Sequence, residues 1–141
     1  MKKLIAAIAF LAVATPAFAA DTASLTVTVE GVTAKGGNLR LGVYDESIFS
    51  VRGAKPTIGT IVAATAGKMV VTLTGILPGV YGVKTFQDEN GNNKLDTSFI
   101  GMPTEPFGIS RDAKPNMGPP AFDDAKITLK PGANAITIHL Q

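Results

Sequence analysis

The 141-residue chain has no cysteine, and that absence excludes a disulfide framework, a thiolate metal centre and a cysteine nucleophile. It has a single histidine, His139. This residue lies between Ile138 and Leu140 on the outward side of the last alternating segment, where a solvated surface group is expected, not a general base. No Gly-x-Ser-x-Gly elbow, His-Glu-x-x-His helix or phosphate-cradling glycine loop occurs. Aromatics are scarce at 6%, while glycine and proline are plentiful at 15 and 9, a balance that predicts short elements joined by tight turns. The apolar content of 45% rules out a disordered or low-complexity chain. The length suits one domain around one core.

The first residues read as an export signal. Lys2 and Lys3 precede an apolar run from Leu4 to Val13, Thr15 and Pro16 break it, and Ala17-Phe18-Ala19 offers the small residues a signal peptidase reads. The run falls short of the roughly 20 apolar residues a membrane-spanning helix needs. With no cysteine near the cleavage point, a lipid-modified N-terminus is excluded as well. Residues 1–19 are therefore expected to be a cleaved signal peptide, with residues 20–141 a single domain in the periplasm or secreted, without stable membrane insertion. Without Lys2 and Lys3 the remaining chain carries 11 basic and 11 acidic residues. Its isoelectric point near 9.0 thus reflects mostly the discarded segment, and no basic stripe is left to attract nucleic acid.

Beyond residue 20 the apolar residues alternate. Ser24–Glu30 places Leu25, Val27 and Val29 on one side; Asn38–Tyr44, Lys68–Thr74, Ala125–Lys130 and Asn134–Gln141 repeat the pattern. Gly59–Thr65 is a weaker strand, and Tyr81–Gln87 is the seventh. Period-two alternation marks antiparallel sheet with one face buried. Gly36-Gly37, Gly67, Pro78-Gly79 and Pro131-Gly132 punctuate the strands. The expected fold is all-β, a seven-stranded antiparallel immunoglobulin-like sandwich with one long proline-rich loop. Tyr81, just after the Leu77-Pro78-Gly79-Val80 turn, is placed either as a tyrosine corner or as a residue that simply packs at a strand end.

The loop is the 37-residue stretch from Asp88 to Asp124, with prolines at 103, 106, 115, 119 and 120. Loops beyond about 12–15 residues are unusual in a compact domain and are often functional. Within it, Asp88, Asn90, Asn92 and Asp96 bear side-chain oxygens at alternate positions, and Lys94 can offer its backbone carbonyl. That spacing suits a calcium loop, because a tightly turning backbone brings alternate oxygens to one centre. Asn93 stands where such loops usually have glycine, a mild departure because Asn tolerates the left-handed conformation. Phe99 stands where a bidentate glutamate is usual and cannot ligate, so a further oxygen would come from Glu105 or water. With two carboxylates the site would be weak. The alternative is a polar turn closed by side-chain hydrogen bonds with no ion. Asp45-Glu46 and Asp123-Asp124 are adjacent carboxylates beside expected strand ends, and nothing favours a catalytic pairing of either.

Several segments, taken in order, resemble one exported bacterial family, domain of unknown function 2141. They are Asn38-Leu39-Arg40-Leu41-Gly42-Val43-Tyr44 with Phe49, Leu77-Pro78-Gly79-Val80-Tyr81, Asp88-Glu89-Asn90-Gly91-Asn92, Lys94-Leu95-Asp96, Gly101-Met102-Pro103-Thr104-Glu105-Pro106, Phe107-Gly108-Ile109-Ser110 and Gly118-Pro119-Pro120-Ala121-Phe122. The resemblance spans about residues 24–140. It implies an exported sandwich of transthyretin-like or carboxypeptidase-regulatory-like character, and it implies no particular activity, because the family has none established. Members often carry glycine at the position of Asn93. A more distant likeness, to calcium-binding sandwich repeats of bacterial surface proteins, matches Asp88, Asn90, Asn92, Asp96 and then Glu105. The reading that follows is a non-enzymatic binding or structural module, with calcium as a candidate ligand and an envelope or extracellular protein or a glycan as partner. A small carboxylate-dependent hydrolase or carbohydrate-acting domain is the alternative.

Overall fold

The computed structural model describes residues 21–141, so the expected signal peptide lies outside the described residues. Eight strands follow the chain: β1 (Ala23–Val32), β2 (Asn38–Tyr44), β3 (Ile58–Ala63), β4 (Gly67–Ile76), β5 (Gly79–Asp88), β6 (Phe107–Ile109), β7 (Ile127–Leu129) and β8 (Gly132–His139). Between them lie two single-turn helices, α1 (Glu46–Phe49) and α2 (Phe122–Ala125), and a 3-10 turn at Ser110–Asp112. One sheet has the order β4-β1-β8. The other has the order β3-β2-β5-β6, with β7 paired to the first residues of β5.

The architecture is the expected all-β sandwich, with all seven anticipated strands in place and three corrections. An eighth strand, β6, pairs Phe107–Ile109 with Lys84–Phe86; three residues are too few to display an alternating pattern. The sandwich is also not wholly antiparallel, because β1 and β8 run parallel from Ala23 opposite Gly132 to Glu30 opposite His139. Alternation identifies the buried face of a strand but carries no information about its direction. The proline-rich stretch is likewise not one irregular loop: β6, the 3-10 turn and α2 divide it.

The core is built by the alternation. Leu25, Val27 and Val29 of β1, Leu39, Leu41 and Val43 of β2, and Val83 of β5 are buried between the sheets with Val71, Leu73, Leu129 and Ile138. On β1 the pattern slips, since Val29 opposes Met69 while Val32 opposes Gly67. One extra residue is accommodated at Gly31, whose φ is +88°, and this bulge turns Val32 back into the core.

A second apolar cluster gathers Phe49, Ile109, Ala113 and Ala125 with Tyr44, Phe107 and Phe122. Gly82 gives it a floor, because a Cβ there would overlap the Phe49 ring. Lys84 runs into this cluster, its Nζ 4.7 Å from the centre of the Tyr44 ring and 4.5 Å from that of Phe49, and donates to the Phe49 carbonyl. Burial lowers the Lys84 pKa and raises that of Tyr44. Ser110 ties the proline-rich stretch to this side: its buried hydroxyl accepts from the Val83 N–H at 2.9 Å and donates to the Ala125 carbonyl.

Where the chain passes from β4 to β5, the Tyr81 hydroxyl donates to the Leu77 carbonyl at 2.7 Å. This is a tyrosine corner, fixing the crossover turn by a bond back to the chain just upstream. Tyr81→Phe removes that bond and leaves the ring in place, so it is expected to lower unfolding free energy by about 1 kcal/mol in urea titrations.

Candidate functional site

The Asp88–Pro106 segment is organised around two carboxylates that fold into the protein. Asp88, the last residue of β5, is fully buried, and Glu105 is 6% exposed. A buried carboxylate must find donors for its oxygens, and here the donors are backbone N–H groups of the loop itself. Asp88 accepts from Asn92 N–H at 3.2 Å and Asn93 N–H at 2.9 Å. Glu105 accepts from Glu89 N–H and Asp96 N–H, each at 2.9 Å. The loop therefore wraps around Asp88 at its start and is closed by Glu105 at its end.

Smaller contacts complete the winding. Gly91 and Asn93 adopt left-handed conformations with φ of +70° and +65°. Asn92 N–H donates to the Asn90 side chain at 3.1 Å and Lys94 N–H to the Asn92 side chain at 3.0 Å. The amide NH2 groups of Asn90 and Asn92 both donate to Asp96, one to each carboxylate oxygen. Arg40, on β2, donates to the Asn93 side chain at 2.7 Å. Gly37 makes the close approach of the β1–β2 turn to the loop feasible, since a Cβ there would overlap the backbone of Asp88 and Glu89.

All six expected ligand residues thus belong to one structure, but in it the carboxylates serve as hydrogen-bond acceptors. Every oxygen of Asp88, Asp96 and Glu105 already has a donor. Among the described residues, no group of three or more His, Cys, Asp or Glu side chains is placed to hold a metal ion. Calcium would need the Asn90 and Asn92 amides to release Asp96 and turn their oxygens inward.

Sequence reasoning missed Gln87, which is fully buried. Its side chain accepts from Thr33 N–H at 2.8 Å and donates to the Thr33 and Gly36 carbonyls, fastening the β1–β2 turn to the base of the loop. The signal available was a polar residue on the inward side of a strand, at the register of Val83 and Thr85. A shallow open cleft of about 390 Å³ lies beside it, with Lys35, Glu89, Thr104 and Glu105 in its lining. Glu89 is occupied there by Lys35 at 3.4 Å and the Thr33 hydroxyl at 3.2 Å. The adjacent acids elsewhere also have structural tasks. Asp45 caps α1 through Ser47 N–H at 3.0 Å, and Asp123 pairs with Lys126 at 2.7 Å.

His139 is not simply solvated. Its Nδ1 lies 2.8 Å from Asp112 and its Nε2 lies 3.3 Å from Glu30, which also meets Lys68 at 3.4 Å. Asp112 further accepts from His139 N–H at 3.0 Å. This latch holds Arg111 and Asp112, both at positive φ, against the end of β8.

A β-sandwich domain with a long loop wound on its own buried carboxylates is the class of protein these features define. A family model described as "Uncharacterized protein conserved in bacteria (DUF2141)" matches residues 27–137, and the chain belongs to that family. No curated protein and no solved structure matches it.

Two expectations follow. Glu105→Gln sets an amide NH2 against one of two backbone N–H groups and should cost about 2 kcal/mol, read by denaturant titration. The latch has two pH limits. The hydrogen bond to Asp112 and its charge raise the His139 pKa, so that contribution is complete below about pH 6.5 and fades as pH rises through the raised value. The His139 N–H, with the imidazole beside it, lowers the Asp112 pKa. That contribution is present above about pH 4 and is lost as pH falls through the lowered value. His139→Gln should flatten the alkaline side of a plot of melting temperature against pH.

Proposed function

We propose that this protein is an exported, non-enzymatic binding module whose 88–106 loop is its recognition surface. The observation that carries the reading is the contrast within that loop. Its base is tied down by Asp88 and Glu105, whereas its far end presents Phe99, fully exposed, with Ile100 70% and Met102 62% exposed. A large apolar group held out in water by a rigid support is characteristic of an interaction site. Export rests on the N-terminal pattern of residues 1–19.

The absence of enzymatic activity is part of the proposal. Glu89 and Glu105 line the cleft beside the loop, and each of their oxygens is engaged by a donor of the chain itself, which favours structural roles over proton transfer. A general acid or base needs an oxygen available to substrate.

A second reading keeps calcium as a weak ligand of the same loop. It is favoured by the winding itself: Asp88 meets the N–H groups of the fifth and sixth loop residues, and alternate side chains fold back toward the loop. Asp88, Asn90, Asn92, the Lys94 carbonyl and Asp96 would hold the ion, with Glu105 as a further oxygen. Calcium would supply only charge neutralisation and stiffening there.

Hydrogen exchange separates these roles. In EDTA, the N–H groups of Glu89, Asn92, Asn93 and Asp96 are expected to be protected, since their acceptors are within the chain. Protection that appears only with about 10 mM calcium, well above the weak end of extracellular affinities, would transfer the ordering to the ion. It would then bring a rise in melting temperature on the order of 10 °C that Asp96→Ala abolishes.

A further inference from the structure

We propose that the Ser98–Met102 tip is a membrane-docking wedge, with Phe99, Ile100 and Met102 entering the interfacial region of a lipid bilayer and holding the domain at its surface. The inference rests on the 88–106 loop being the recognition surface and names what that surface recognises.

The tip is a three-residue hairpin. Thr97 bridges Pro103, Ser98 N–H donates to the Met102 carbonyl at 2.8 Å, and Gly101 N–H donates to the Ser98 carbonyl at 2.9 Å. Gly101 takes the left-handed position with φ of +82°, as three-residue hairpin loops require. The two residues ahead of it, at the centre of the turn, are normally polar because they face water. Here they are Phe99 and Ile100. Their exposure means that they contribute nothing to the core, so folding does not explain them. Ser98 Oγ, at the foot of the tip, is also the one buried side-chain polar atom without a partner among the described residues.

Entry into a bilayer interface disfavours charge, and residues 97–104 carry none. Of the turn's backbone groups, the N–H of Ser98 and of Gly101 are bonded within the chain. Those of Phe99 and Ile100 have no partner among the described residues and would bond to water and headgroups, which the interfacial region, unlike the hydrocarbon core, still offers. The apolar groups stand on a convex turn, a form that fluid lipid accommodates without a matching cavity. Among the described residues the other exposed large apolar side chains are more dispersed along the chain, and only residues 99–102 place three within four positions. Because residues 20–141 carry equal numbers of acidic and basic groups, attraction comes from apolar burial and not from headgroup charge. The attachment is peripheral, through a turn; among the described residues no helix is long and apolar enough to cross a membrane.

The chain contains no tryptophan, so Phe99→Trp introduces a unique fluorescent reporter. With phosphatidylcholine vesicles its emission is expected to shift to the blue, and the protein to sediment with the vesicles at low and high salt alike. Phe99→Asp combined with Ile100→Asp should lower partitioning by about tenfold or more, while Val70→Asp, at an exposed site on β4, leaves it unchanged. Thermal melts confirm that the variants remain folded. No blue shift, loss of binding at high salt, or an equal loss with Val70→Asp would overturn the wedge. A photoreactive diazirine residue in place of Ile100 then locates the failure. Cross-linking to an envelope protein in a vesicle-silent tip overturns the wedge but leaves the loop as recognition surface, and no cross-link removes both.

Discussion

Two carboxylates withdrawn from water organise the distinctive part of this molecule. Removing an ionised carboxylate from solvent is unfavourable unless its oxygens find donors, and Asp88 and Glu105 recruit theirs from the loop between them. Each carboxylate closes a separate ring of backbone, one over residues 88–93 and the other from Glu89 and Asp96 to Glu105. The loop buries little apolar mass of its own, so these bonds, with Gln87 and the approach of Gly37, take the place of a core. Acidic residues that invite a catalytic or metal-binding reading are here the elements that shape the backbone.

The same economy recurs on the opposite flank of the proline-rich stretch. Ser110 bridges β5 and α2, Lys84 lies across two aromatic rings, and Asp112 holds His139. Each is a polar side chain with its partner on a distant element, and together they order a stretch whose five prolines preclude regular secondary structure over much of its length. The ordered stretch can then project a turn such as residues 98–102 without collapsing it onto the sandwich. Rigidity at the base and exposure at the tip are linked, because an apolar tip on a flexible loop would find apolar surface within its own molecule.

The elements legible in the sequence were those governed by local rules. Alternation located five of the strands and their buried residues, two weaker segments supplied the remaining two, glycine and proline marked the turns, and the spacing of Asp88, Asn90, Asn92 and Asp96 exposed a tightly wound loop. Asn93 does adopt the left-handed conformation expected of it. What escaped was pairing. Gln87 reads as one polar residue in a strand until Thr33, 54 positions away, is brought beside it. His139 reads as a surface group until Asp112, 27 positions away, closes on it.

By itself, then, the sequence determined which residues of the alternating strands face inward, where the chain turns and which segment lacks alternation, because pleat, φ preference and turn chemistry depend on neighbouring residues. The tertiary structure alone decided that β1 and β8 lie parallel, that β6 exists, that Glu105 serves the backbone at Glu89 and Asp96, and that Phe99 and Ile100 remain in water. These depend on which distant segments are brought together when the core closes. That choice is made by the packing of the whole chain, which no local period encodes.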